Sequence, residues 1–141
     1  MHMAAAVAVA VLAGTACTST TAPSQQDSGI KPLEFLTETF SGTLKVNGSG
    51  FYAIGIVQAG PVDLTLAAVQ TPGGAALTTP VGIGVGIPSG TTCPTTTSQV
   101  TAPALSAQLT VTLNPGTYCV AVFDAGNLTS TVNFAVRIKH P

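Results

Sequence analysis

Three observations predict an all-β sandwich. From Glu34 onward, apolar runs alternate with turn signals at short intervals. Within several runs, apolar and polar residues alternate with period two, as in half-buried strands. No part of this region carries the 3.6-residue spacing of an amphipathic helix. Composition points the same way. Fifteen Gly and ten Pro, beside abundant Thr and Val, favour turns and strands over helices.

The elements follow in order. EFLTETFSGTLKV, from Glu34, reads as one or two strands with a break at Ser41-Gly42. Asn47 to Gly50 is a turn. FYAIGIVQ is apolar on both faces, the pattern of a central strand. After the turn at Ala59-Gly60-Pro61, VDLTLAAVQ directs Val62, Leu64 and Leu66 one way and Asp63 and Thr65 the other. TPGG turns the chain into VGIGVGIP, where Val81, Ile83, Val85 and Ile87 form one face and Gly82, Gly84 and Gly86 the other. Each glycine weakens a strand by about 0.5–1 kcal/mol relative to Ala. Three in alternation therefore imply either a close neighbour over that face, packed protein or a binding partner, or tolerated looseness. No helix start follows, which excludes a phosphate-cradling loop.

Residues 88–104, including TTCPTTT, read as a polar loop. SAQLTVTL alternates Leu109, Val111 and Leu113 inward with Gln108, Thr110 and Thr112 outward. NPG is a tight turn. TYCVAVFD sets Tyr118, Val120 and Val122 on one face and Cys119, Ala121 and Phe123 on the other. DAGN turns the chain, Asp124 capping its own turn. In the last strand Val132, Phe134, Val136 and Ile138 alternate with Asn133, Ala135, Arg137 and Lys139. About eight strands over residues 34–141 fit two packed antiparallel sheets, jelly-roll or immunoglobulin-like.

Ahead of this domain, AAAVAVAVLAGTAC is an apolar run ending in small residues. It is shorter than the roughly 20 residues of a membrane span and has the length of a signal-peptide apolar region. Residues 1–16 are read as a signal peptide, although only His2 stands where a positive head is expected; the alternative is a buried core helix. AGTAC, Ala13 to Cys17, resembles a bacterial lipobox, which implies lipidation of Cys17 and attachment to a membrane. Gly14 stands where Leu is most usual, and the rival reading is a cut near Ala16 that leaves a free thiol and a secreted or periplasmic protein. Residues 17–33 are a Thr/Ser/Pro tether. Some 15 extended residues reach roughly 50 Å.

Three cysteines are an odd number for an exported chain. With Cys17 lipidated, two remain. Cys93 in the polar loop can reach over a sheet face to Cys119, and an oxidising compartment permits the bond. Closing that loop would contribute roughly 3 kcal/mol. The alternative is two separate thiols, with Cys119 a small apolar residue. Two cysteines without a nearby His fall short of a zinc site, so no metal or other cofactor is expected.

Catalytic residue types are scarce. Charged residues make up 6% of the chain and formal net charge is −1, which excludes a basic nucleic-acid surface. Of two histidines, His2 lies in the leader and His140 in what reads as a solvated tail. Glu34 and Glu38, around the first strand, could pair as in a glycosidase, but each reads more simply as a solvated strand-edge residue. No G-x-S-x-G elbow is present. Asn47 and Asn127 match the N-glycosylation pattern and are read as turn residues. With no Trp, an aromatic sugar-binding platform would rest on Tyr52, Tyr118 or the five Phe. The expectation is no enzyme but a binding or accessory module displayed on the cell envelope. Its contacts would be an extracellular polymer or envelope protein, met by loops 88–104 and 124–130. A structural or assembly component is the alternative, and its strand edges, poor in Lys, would carry the pairing.

FSGTL, the pair FYAIGIVQAGPVDLTL, LNPGTYCVAVFDAGN and NFAVRIKHP together resemble the bacterial pre-peptidase C-terminal domain, over roughly residues 34–141. The resemblance implies a β-sandwich or jelly roll in secreted or surface proteins, beside peptidases, where it assists secretion or binds substrate. The chain carries no peptidase domain. It also lacks the acidic cluster of calcium-binding members.

Overall fold

The computed structural model describes residues 31–141, so the signal peptide, Cys17 and most of the tether lie outside the described residues. Eight strands follow one another: β1 Leu36–Leu44, β2 Ser49–Ile56, β3 Gly60–Gln70, β4 Val81–Gly86, β5 Thr95–Thr101, β6 Leu109–Leu113, β7 Gly116–Phe123 and β8 Val132–His140. No helix occurs among the described residues.

Two four-stranded sheets form, sheet A in the order β1-β8-β3-β6 and sheet B in the order β2-β7-β4-β5. Every pairing is antiparallel. The pairs β1·β8, β2·β7, β3·β6 and β4·β5 nest, as in one long hairpin with its bend between β4 and β5. Pairs β1·β8 and β3·β6 fall in sheet A, and β2·β7 and β4·β5 in sheet B. The contacts β3·β8 and β4·β7 complete the sheets. That rolled hairpin is a jelly roll, which decides between the two connections left open by the sequence.

Alternation builds the core. Val62, Leu64 and Leu66 of β3, Val81, Ile83 and Val85 of β4, Val120 and Val122 of β7, and Val132 to Ile138 at every second position of β8 are buried between the sheets. Each such side chain contributes about 1.5–3 kcal/mol relative to exposure, before chain entropy is charged against it. A bulge between Leu66 and Ala68 shifts the phase of β3. Leu66 and Val69, three residues apart, can then both face Val136 and Phe134 across the ladder.

Several expectations need correction. Residues 95–101, read as part of a loop, are the edge strand β5. TTTSQVT has no apolar alternation because nearly the whole strand is exposed; it is a strand because it pairs with β4. The expected break at Ser41-Gly42 is absent, and β1 runs through it. Gly42 lies opposite Phe134, whose ring takes the space beside its missing side chain. FYAIGIVQ is not central: β2 is an edge strand of sheet B, at the end opposite β5. Ile87 lies beyond the end of β4 and is exposed rather than inward. His140 is no solvated tail. It is the last inward residue of β8, 3% exposed.

Candidate functional site

The outer face of sheet B carries a concavity. Strand β7 presents Cys119, Ala121 and Phe123 outward, and β2 presents Phe51, paired with Ala121. The glycines of β4 lie alongside, Gly82 opposite Phe123, Gly84 opposite Ala121 and Gly86 opposite Cys119. A Cβ at Gly82 would occupy the space of the Phe123 ring, and one at Gly86 the space of the Pro94 carbonyl. The alternating glycines therefore let an aromatic ring and a loop backbone lie directly on the sheet, the packed alternative among the readings of that stripe.

That loop is the β4–β5 connection. It tightens at Ser89 to Thr92 through reciprocal backbone hydrogen bonds of 2.9 and 3.0 Å, with Gly90 at φ 57°. The Thr92 hydroxyl donates to the Ser89 carbonyl at 2.9 Å. Cys93 and Cys119 are disulfide-bonded, with Cα atoms 6.0 Å apart. The staple holds the loop over the sheet and buries Cys119 completely. Between the loop and β2 opens a groove of about 610 Å³, with Phe51, Phe123 and Ala121 on its floor and Ser49, Thr91, Thr92 and Thr95 among its hydroxyls. No ionisable side chain lines it.

The other predicted contact segment is largely consumed by its own structure. In loop 124–131 the Asp124 carboxylate accepts from the Gly126, Asn127 and Leu128 N–H groups through one oxygen and from Asn47 N–H through the other, at 2.8–3.1 Å. These bonds, that of Asn47 foremost, hold its carboxyl below the usual carboxylate range. Asp124 is the turn cap predicted for it. It also ties the turn to the β1–β2 corner, where Asn47 adopts φ 55°.

Glu38 does not stand in solvent at the strand edge. It faces inward from β1 with its side chain 26% exposed, and its Oε1 lies 3.2 Å from His140 Nε2. The other ring nitrogen of His140, Nδ1, lies 3.2 Å from the Pro141 main-chain oxygen. A hydrogen bond from Tyr52 is the main cause that lowers the Glu38 carboxyl, with His140 adding to it against desolvation; the same bond raises Tyr52. Tyr52 stacks on Phe40 with centroids 5.7 Å apart, and Phe40 meets Phe134 edge-on at 5.0 Å. This row joins β1 and β8 of sheet A to β2 of sheet B. Glu34 precedes β1 and is exposed.

On the outer face of sheet A, a cleft of about 230 Å³ is lined by Asp63, Arg137 and Lys139 with Thr37 and Thr65. Its charges are engaged. Asp63 accepts from the Thr110 hydroxyl at 2.7 Å, Arg137 donates to the Leu105 carbonyl at 2.9 Å, and Lys139 sits 4.7 Å above the Phe35 ring. No three His, Cys, Asp or Glu side chains come together as metal ligands among the described residues.

Of the residues singled out in the sequence, the structure brings Cys93 and Cys119 together and joins Glu38 to His140. Phe51 and Phe123 were missed as groove residues. The alternation in TYCVAVFD already set Phe123 on the Cys119 face and Tyr118 on the opposite one; a loop stapled to Cys119 must pass close to that ring. No family model matches the chain, and no curated protein matches it.

Proposed function

We propose that the protein is an exported, non-catalytic binding module of the bacterial cell envelope, held at a membrane through lipid on Cys17, with the groove over sheet B as its contact site. The observation that carries this is the groove itself. An edge strand, a glycine-relieved floor and a stapled loop shape a concavity that folding alone does not require. Its volume is in the roughly 300–1,000 Å³ range of small-molecule sites. The loop wall rests on a disulfide, a bond that persists in exported compartments. The segments that resemble the pre-peptidase C-terminal domain fall on β1, β2, β3, β7 and β8, which is consistent with a module that assists or binds rather than reacts. Loop 88–94, rather than loop 124–130, is the contact loop.

The test has two parts. Intact-mass measurement of the protein from membranes is expected to show cleavage before Cys17, an acylated Cys17 and two hydrogens missing for the disulfide; an unmodified thiol at 17 would remove the anchor. A screen of full-length protein against envelope and extracellular polymers, both polysaccharides and proteins, is expected to give a binder that Phe51→Ala weakens. No binder in a broad screen would overturn the reading.

One observation favours a second reading, an assembly component. Strand β5 is an exposed edge of Thr, Ser, Gln and Val100 with no Lys or Pro to block pairing. Concentration-dependent self-association, abolished by Ser98→Pro, would establish it; a monomer at high concentration would exclude it.

A further inference from the structure

The lining of the sheet B groove specifies a ligand class, and we infer that it takes uncharged sugar rings of a neutral polysaccharide, stacked over Phe51 and Phe123. This rests on the reading of the groove as a binding site.

The first argument is charge. The lining contains no Asp, Glu, Lys, Arg or His. An anionic or cationic ligand entering it would shed water without gaining a counter-charge, a loss that no neutral wall offsets. The second is the pairing of surface types. A pyranose ring presents C–H groups on its faces and hydroxyls around its rim. The groove offers the complement: aromatic rings on the floor, whose electron-rich faces attract polarised C–H groups, and at the sides Ser49, Thr91 and Thr95, hydroxyls able both to donate and to accept, with Thr92, whose proton goes to the Ser89 carbonyl, as an acceptor.

The third is placement. Phe51 and Phe123 come from neighbouring strands, two residues apart in register, since Phe51 pairs with Ala121. Such diagonal neighbours lie roughly 7–8 Å apart, a spacing that lets one extended chain meet both. The Phe123 ring lies over Gly82 and cannot sink further, so the floor is built before any ligand arrives. An extended peptide is the less favoured occupant. Peptides dock on sheets mainly by backbone pairing along an edge, and this groove lies on a sheet face beneath a loop.

Full-length protein is titrated calorimetrically with cello-, manno- and chito-oligosaccharides, with polygalacturonate as the anionic polymer, and with uncharged extended peptides. The expected result is binding to at least one neutral oligosaccharide, weakened tenfold or more by Phe51→Ala and by Phe123→Ala and unchanged by Leu105→Ala, which lies outside the groove. Backbone amide shifts at Thr91, Thr92 and Ala121 on titration keep the inference testable should Phe123→Ala disturb folding. Binding of only polygalacturonate or peptide, still sensitive to Phe51→Ala, would overturn the sugar class and leave the binding module standing. Neutral-sugar binding indifferent to both Phe substitutions and without those amide shifts would overturn the site. No binding to any class would overturn both.

Discussion

At the scale of single residues, glycine and glutamine decide features that hydrophobicity does not predict. Replacing Gly with Val inside a strand ordinarily stabilises, because Gly gives up more backbone entropy and packs nothing. At Gly82 the sign reverses, since the new Cβ would collide with the Phe123 ring. Gly82→Val is expected to destabilise by about 1–3 kcal/mol, the usual cost of overpacking, and to push Phe123 into the groove. A lower Tm by calorimetry checks it; a higher Tm would mean the ring moves aside without cost. Gln108 serves as a surrogate peptide. Its Oε1 accepts from Leu66 N–H at 2.8 Å, while its Nε2 donates to the Leu66 and Ala102 carbonyls at 3.3 and 3.2 Å. It extends the β3·β6 ladder just ahead of Leu109, where β6 begins. Gln108→Ala is expected to cost about 1 kcal/mol and to speed hydrogen exchange at the Leu66 amide. An unchanged exchange rate would show that another acceptor takes over.

At the scale of elements, the disulfide is the fastening of a loop whose own residues bury little. Cys93 and Cys119 are 26 residues apart, and closing such a loop contributes roughly 3 kcal/mol in the chain-entropy model. Cys93→Ser with Cys119→Ser is therefore expected to lower Tm on the order of 10–20 °C while the far-ultraviolet spectrum keeps its strand character, because the β4·β5 and β4·β7 ladders remain. The loop should become the first protease site. A loop that stays protected without the bond would mean that its seat on Gly86 alone holds it. The pairing was legible in the sequence because one cysteine lay in a long polar segment and the other on the outward face of a strand. Strand β5 was not legible: its Thr and Ser side chains are exposed on both faces, so no periodicity marks it, and only the neighbouring β4 makes it a strand.

At the scale of the whole molecule, the row of Glu38, Tyr52 and His140 fastens one sheet to the other along the β1–β2 side. Its pH dependence has a definite sign. Tyr52, then His140, lower the Glu38 carboxyl below its ordinary value of 4.5, so its contribution is complete above that value and lost as pH falls through the lowered one. Tyr52 is raised above 10.0 by the same bond, so that contribution is lost only as strongly alkaline pH passes the raised value. Melting temperatures of wild type and Glu38→Gln, measured from pH 2 to 7, are expected to converge at the acid end and to separate as pH rises above the carboxylate range. Parallel curves would show that the row does not lock the sheets. His140 was misread because its position near the end of the sequence outweighed its phase. Ile138 and His140 are two residues apart, and carrying the alternation of β8 one step further puts the imidazole inside.

A two-sheet antiparallel sandwich, the side chains of β3, β6, β7 and β8 that face its core, and the two cysteines able to meet all follow from the order of residues. Those properties follow from the two-residue period of a strand and from turn chemistry, both local. Tertiary structure alone decided that the sandwich is a rolled hairpin, that β2 is an edge, that 95–101 is a strand, and that Phe51 and Phe123 share a groove. Each of these depends on which distant segment lies alongside, and strand pairing is made by backbone groups that every residue but proline carries alike.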